Sequence, residues 1–399
     1  MPGVTKHIFN HEICDILSMF NCEIKTIEPL LPKEYSNGDI IALLKEFYPH
    51  EWHSVEIKYV YYQTKDRYIE RKFGKNRYNM KTPEVLLMEA SRCKKILSEE
   101  YRRIHSDNYS EEGRVLAREN LWLKRKPKIE EINQKIEKAL SKTQQVTPSF
   151  MDQLIGLYER KNTSQKDRRY ILLELKKYYS DKIIQFFFKL NDTELNEQLR
   201  WEAFYHLQNF NYQPRARRQK YMQVHTKNKK RKKFLKEVYP FETYEIPQNP
   251  NELEYRIENS SEQKIKEYDY FISHSSKDST YIQKLIRAEN QDGKNIFCDW
   301  INDVDYLKRH LLCEATLKVL EKRMEQSNAM IFVVSENSLH SIWCKYELNY
   351  FAELGKPIYC ISIEAIDEKK FCLNKMNDTW FLDPNYKTLA LIEGDSINV

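Results

Sequence analysis

Apolar and polar positions give this chain two textures. In its last third, short apolar runs alternate with stretches of helical period. Tyr268-Asp269-Tyr270-Phe271-Ile272-Ser273, Ile296-Phe297-Cys298 and Ala329-Met330-Ile331-Phe332-Val333-Val334 read as strands, and Tyr281 to Ala288 between the first two reads as a helix. A strand that is apolar throughout, instead of at alternate positions, has helices on both faces, so the pattern predicts a parallel α/β sheet.

The preceding residues are mainly of helical period. His11 to Phe20 and Gly38 to Phe47 predict short amphipathic helices, and Val55 to Gln63, rich in β-branched and tyrosine residues, predicts a strand. Thr82-Pro83-Glu84 is an N-cap followed by proline at the first helical position, opening a helix to about Ile104. Further helices are expected from Ser110 to about Leu123 and from Lys128 to Ser141, the latter with Ile129, Ile132, Ile136 and Leu140 on one face. Arg168-Arg169-Tyr170-Ile171-Leu172-Leu173-Glu174-Leu175 is echoed by Arg200-Trp201-Glu202-Ala203-Phe204-Tyr205-His206-Leu207, with Asp181 to Leu190 as a helix between. Such spacing fits HEAT-like helical repeats, or an ordinary bundle with a chance echo. Pro240, Pro247 and Pro250, with Asn249 and Asn251, mark a linker. The expected division is a mainly helical region, residues 1–250, with a sub-boundary near 145, and an α/β domain over 264–399.

Composition narrows the chemistry. The 8 glycines stand far apart, at 3, 38, 74, 113, 156, 293, 355 and 394, where average usage near 7% would give about 28. Phosphate-cradling loops need clustered glycines, so dinucleotide-fold and P-loop motifs are excluded. The net charge of +6 is modest for 399 residues and does not by itself imply a nucleic-acid partner. The 8 cysteines form no C-x-x-C pair, and together with the lack of an N-terminal apolar leader this predicts a reducing cytoplasm. No apolar run is long enough to span a membrane. Metal is not expected: His50 and His53 are three apart where a zincin helix needs four, and His7, His11 and Cys14 lie at the terminus. The stretch Arg215 to Lys236 holds no acid, and Arg217, Arg218, Lys229, Lys230, Arg231 and Lys232 could neutralise a phosphate backbone, or simply solvate a linker helix.

Three motifs in order carry a resemblance. Phe271-Ile272-Ser273-His274-Ser275-Ser276-Lys277-Asp278, the strand ending in Asp299-Trp300, and Ser341-Ile342-Trp343-Cys344-Lys345-Tyr346-Glu347-Leu348 resemble a Toll/interleukin-1 receptor (TIR) domain of the kind that ends bacterial anti-phage defence proteins. The resemblance implies a flavodoxin-like sheet with strands Tyr268 to Ser273, Asn295 to Cys298, Ala329 to Ser335 and Lys356 to Ile363. It also implies a site beyond their carboxyl ends.

Enzymes of this family cleave the nicotinamide–ribose bond of NAD+, and the motif puts their catalytic glutamate at Glu347. A lone carboxylate is enough for that reaction. Nicotinamide leaves a cationic pyridinium as a neutral molecule without needing a proton, and the anion only has to stabilise the charge left on the ribose. By the same resemblance Phe271, His274, Ser275, Asp299, Trp300 and Trp343 line the substrate slot. Each has a plainer role open to it: Glu347 as a helix-dipole acid, Trp343 and Phe271 as core, Asp299 as a strand-end cap. The segment Trp300 to Arg309 departs from the family, because its frequent Pro-Gly tip is absent.

The expected function is an NAD+ nucleosidase, with NAD+ as substrate and no cofactor, gated by self-association through the TIR and N-terminal regions. The trigger would be of the class of a nucleic acid or a phage protein, and no membrane is involved. Alternatives are a cyclase making cyclic ADP-ribose, or a TIR scaffold without catalysis. If the basic stretch binds nucleic acid, replacing Lys229, Lys230 and Lys232 by alanine will lower affinity in a salt titration and flatten its slope by about one per lost phosphate contact.

Overall fold

The computed structural model describes residues 4–215 and 242–376. By packing the chain forms two compact units, Met1–Ala139 with Phe187–Glu242, and Leu140–Phe186 with Thr243–Val399.

The described part of the first unit is helical: α1 (Val4–Ile27), α2 (Asn37–Phe47), α3 (Pro49–Phe73), α4 (Pro83–Glu89), α5 (Ser91–Ile96), α6 (Glu99–Asp107) and α7 (Glu111–Leu140). The strand expected over Val55 to Gln63 is the middle of α3. Its buried positions Val55, Lys58, Tyr62 and Asp66 fall at steps of three and four, so tertiary packing overrides the β-propensity of valine and tyrosine. Tyr62 donates to Glu12 at 2.5 Å, and the Asp66 carboxylate accepts the backbone N–H groups of Arg77, Tyr78 and Asn79. Thr82 caps α4 as expected, accepting from the Val85 N–H, but the long helix predicted to follow breaks into α4, α5 and α6 at extended Ala90 and at Ser98, which caps α6. Conversely, the two helices predicted around residues 110–141 are one, α7, with Pro127 inside it.

Next come α8 (Met151–Glu159), α9 (Gln165–Leu175), α10 (Asp181–Thr193) and α11 (Glu197–Asn209). The echoing blocks lie in α9 and α11, one in each unit. The linker prolines do not all break helix. Pro250 opens α12 (Pro250–Asn259), capped by Asn249, whose Leu253 and Ile257 join Tyr306 and Val319 in a small core; α13 (Ser261–Lys264) follows.

The sheet of the second unit has the order β2-β1-β3-β4-β5, built from β1 (Tyr268–Ser273), β2 (Ile296–Phe297), β3 (Ser327–Val334), β4 (Ile358–Ser362) and β5 (Asn374–Lys375). All neighbours are parallel except β4 and β5. Successive strand residues face opposite layers. Phe271, Phe297, Met330 and Phe332 pack on one side, and Ile272, Ile296, Ile331 and Val333 on the other, which is why the strands are apolar throughout. Helix α14 (Ser279–Gln291) covers the second side, and α15 (Asp299–Asn302), α16 (Glu314–Glu325), α17 (Glu336–Leu339), α18 (Ile342–Glu353) and α19 (Ile363–Asp367) complete the unit.

Residues 140–186 pack with this sheet, although the sequence places them in the helical region. Gln144, fully buried, sits on the edge strand β2. Its side-chain oxygen accepts the Ile296 N–H at 2.9 Å and its amide nitrogen donates to the Ile296 carbonyl and to Asn302 Oδ1. Replacing Gln144 by alanine leaves both backbone groups of Ile296 buried without these partners and should cost about 2 kcal/mol of stability in chemical denaturation. A loss no larger than that of a surface substitution would contradict this account.

Candidate active site

The carboxyl ends of β1 and β2 open on one crevice, as expected for a parallel sheet. Ser273 is the last residue of β1, and its hydroxyl points at α18. That helix begins at Ile342 because Ser341 caps it, accepting the Cys344 N–H at 3.3 Å, and the cap sets which face the helix turns inward. Trp343 and Cys344 precede Glu347 by four and three residues, so each lies one turn from it on that side of the helix.

A cavity of about 330 Å³ lies between these elements, with Phe271, His274, Ser275, Asp299, Trp343 and Glu347 in its wall. Six of the seven residues expected in the site from the sequence therefore meet there. The seventh, Trp300, stands behind His274 and donates its indole N–H to Nε2 at 2.9 Å. The other ring nitrogen, Nδ1, faces the Ile272 carbonyl at 3.2 Å. An indole only donates and a carbonyl only accepts, so these partners select the neutral ring with its proton on Nδ1. His274 accordingly presents no Nε2 proton to the cavity. Phe271 has two roles, since it is a core residue at 1% exposure that also lines the cavity.

Glu347 is only 9% exposed, and its Oε2 accepts the Ser273 hydroxyl at 2.6 Å. Burial pushes its carboxyl up to about 8; the Ser273 hydrogen bond opposes that rise, and the charge of Asp299 adds to it. Burial also pushes the neighbouring Cys344 thiol up to about 12, so it is a packing group and not a nucleophile.

Several lining residues carried no signal in the sequence. Leu307, Leu312, Thr316 and Leu320 come from the loop and helix after β2, where the recognised motifs have a gap. Ser273 stood inside a motif but reads as a strand residue; only its place at the strand's last position, beside the exit loop, hints at a role.

Among the described residues, one trio could hold a metal: donor atoms of His274, Cys298 and Asp299 lie within 4.8 Å of one another. The set is poorly suited to the task, because the His274 Nε2 lone pair is taken by Trp300 and Cys298 is fully buried with its thiol pushed well up by burial. Residues Arg217, Arg218, Lys229, Lys230, Arg231 and Lys232 of the basic stretch lie outside the described residues.

The profile of the TIR-like domain of the Thoeris protein ThsB matches residues 271–368. A protein of Cytobacillus dafuensis named "Putative cyclic ADP-D-ribose synthase TIR2" is 36% identical over 91% of this chain and 93% of its own length. A second, "Probable 3' cyclic ADP-D-ribose synthase ThsB'" of Bacillus cereus (strain MSX-D12), is 33% identical over 33% of this chain and 65% of its own length. Toll-like receptor 2 of Boselaphus tragocamelus is 32% identical over 29% of this chain and 16% of the receptor. No solved structure matches.

The burial of Glu347 has a consequence for stability. Because its carboxyl titrates at about 8 in the fold and at an ordinary 4.5 when unfolded, the folded state holds the extra proton between those values. Stability therefore falls as pH rises through that window, by at most about 1.4 kcal/mol per pH unit. Glu347→Gln, which keeps an acceptor for Ser273 but does not titrate, should raise the melting temperature more at pH 8 than at pH 5. An equal change at both pH values would contradict the burial of the carboxyl.

Proposed function

We propose that this chain, which belongs to the family of bacterial anti-phage TIR-domain proteins, consumes NAD+ by breaking its nicotinamide–ribose bond, with Glu347 as the catalytic residue. The supporting observation is a single carboxylate at the wall of a ligand-sized cavity, oriented by Ser273 and faced by an aromatic ring one helical turn away. A cavity of about 330 Å³ is near the lower end of small-molecule sites, roughly 300 to 1,000 Å³. That suits the nicotinamide riboside half of the substrate, with the adenosine half toward the mouth.

In the reaction the C1′–N bond breaks and its electron pair leaves with nicotinamide, which becomes neutral. The ribose carries the positive charge, and the Glu347 carboxylate stabilises it at short range in a site where little water screens it. Trp343 offers its ring to the nicotinamide and Phe271 closes the floor. An arriving pyridinium cation favours the ionised form of Glu347, so the substrate itself counters the cost of holding an anion there.

The cation is then captured by a nucleophilic atom of the same molecule's adenosine half, which loses a proton and closes a cyclic ADP-ribose. The names of the two bacterial relatives favour this outcome over capture by water. Hydrolysis to linear ADP-ribose is the second possibility, and it uses the same bond cleavage. The helical first unit serves self-association and the response to a trigger, of the class of a nucleic acid or a phage protein.

Purified full-length protein incubated with NAD+, with and without phage lysate, should release nicotinamide, and chromatography of the other product should give a cyclic ADP-ribose. Glu347→Gln should lower the rate by at least about a hundredfold. Because the anion acts, kcat/KM should rise from neutral toward alkaline pH with an apparent pKa near that of the buried carboxyl, about 8. A Glu347→Gln protein as active as the wild type would refute the assignment, and linear ADP-ribose alone would replace cyclisation by hydrolysis.

A further inference from the structure

The loop that follows β2 contributes Asp299 and Leu307 to the cavity, and both depend on Asp303. The Asp303 N–H donates to the Asp299 carbonyl at 2.9 Å, and the Asp303 carbonyl accepts the N–H groups of Tyr306 and Leu307 at 2.9 and 3.0 Å. The Asp303 side chain is fully buried. It accepts Arg323 Nε at 2.8 Å from α16, the helix that also brings Thr316 and Leu320 to the cavity, and Lys177 Nζ lies 3.3 Å away on its other side.

Lys177 follows α9, in the segment before the sheet. It also pairs with Glu174 at 2.7 Å. Glu174 in turn accepts Lys266 Nζ at 2.6 Å and Gln263 Nε2 at 2.9 Å, and the Gln263 oxygen accepts Arg323 Nη2 at 2.8 Å. Two carboxylates thus close on Lys177, Arg323 and Lys266 away from water, and burial pushes the Lys266 ammonium down to about 7 against the pull of Glu174. Burial alone would push the Glu174 carboxyl up, but Lys177 and Lys266 outweigh it and hold it at about 2; Asp303 is likewise held below its usual range by Arg323 and Lys177. Burying each ion costs several kcal/mol, which the set recovers only when every member is paired. A cluster of this kind tolerates one geometry.

We propose that Lys177 is a positioning residue for the substrate: through Asp303 it holds the loop wall of the cavity, so the helical segment before the sheet belongs to the catalytic apparatus. This rests on NAD+ binding in the cavity. It assigns a task to residues far outside the stretch that matches the TIR profile, and it provides a route by which a change at α9 reaches the wall of the site.

The test uses full-length Lys177→Met and Lys177→Arg beside the wild type and Glu347→Gln. Lys177→Met should raise KM for NAD+ on the order of tenfold while kcat stays within about twofold, because a displaced wall weakens binding more than it alters the acid. Lys177→Arg, which keeps the charge, should recover most of the loss. A merely structural role would instead lower kcat in step with the folded fraction and leave KM unchanged, and that result would overturn the proposal. Hydrogen exchange gives a readout without turnover: amides of residues 299–307 should exchange faster in Lys177→Met while those of β1 do not. Unchanged protection in that loop would also overturn it. Should Lys177→Met fail to fold, Lys177→Gln replaces it with the same expectations. A wild type that releases no nicotinamide in any condition would instead refute the NAD+ assignment, which the exchange experiment does not use.

Discussion

Everything at the crevice depends on keeping a carboxyl group where water hardly reaches it. Glu347 is costly at that position, and the Ser273 hydroxyl offsets part of the cost while fixing the direction of the oxygen it binds. The strand supplies the hydroxyl and the helix supplies the acid, so β1 and α18 must pack at one depth for the pair to form. The core layer around Phe271, Phe297 and Phe332, against which α18 packs, sets that depth. Stability and the proposed chemistry oppose each other here: the protonated group suits the fold as it stands, and the ionised one is what the proposed cationic substrate would need.

The chain's two textures led to unequal success. The sheet was legible because strands buried on both faces leave runs such as Ala329 to Val334 that no surface element can carry, and β1 falls where it was expected. Helix α3 is hard to see in the sequence because the tyrosines, two valines and isoleucine of residues 55–62 have strand preferences, while the true signal, Val55, Lys58, Tyr62 and Asp66 on one face, includes a lysine and an aspartate that usually count as surface. The broken helix after Thr82 was missed for another reason. Nothing in Ala90 or Leu97 announces an end, and the breaks serve the burial of Leu86, Leu87, Cys93 and Ile96 together.

The site was legible where its residues stood inside motifs and not elsewhere. Glu347 and Trp343 are read together from one helix start. Leu307 and Leu320 look like any apolar residues until the fold brings them round. The charged cluster is the extreme case, because Glu174, Lys177, Lys266, Asp303 and Arg323 are scattered along the chain and each alone reads as solvated. Within the loop after β2, a buried aspartate ties the backbone of residues 299–307 to α16.

The amide of Gln144 has a bearing on how copies of this protein meet. A strand at the rim of a sheet ordinarily invites a neighbour's backbone to zip onto it, the route by which β-proteins extend into fibrils. Here one side chain occupies the Ile296 groups that such a neighbour would need, and does so from within the same compact unit. Filaments grown by adding strands at that rim are thereby closed off, and copies that gather on the β2 side must meet through helices and loops, which come apart again without unravelling the sheet.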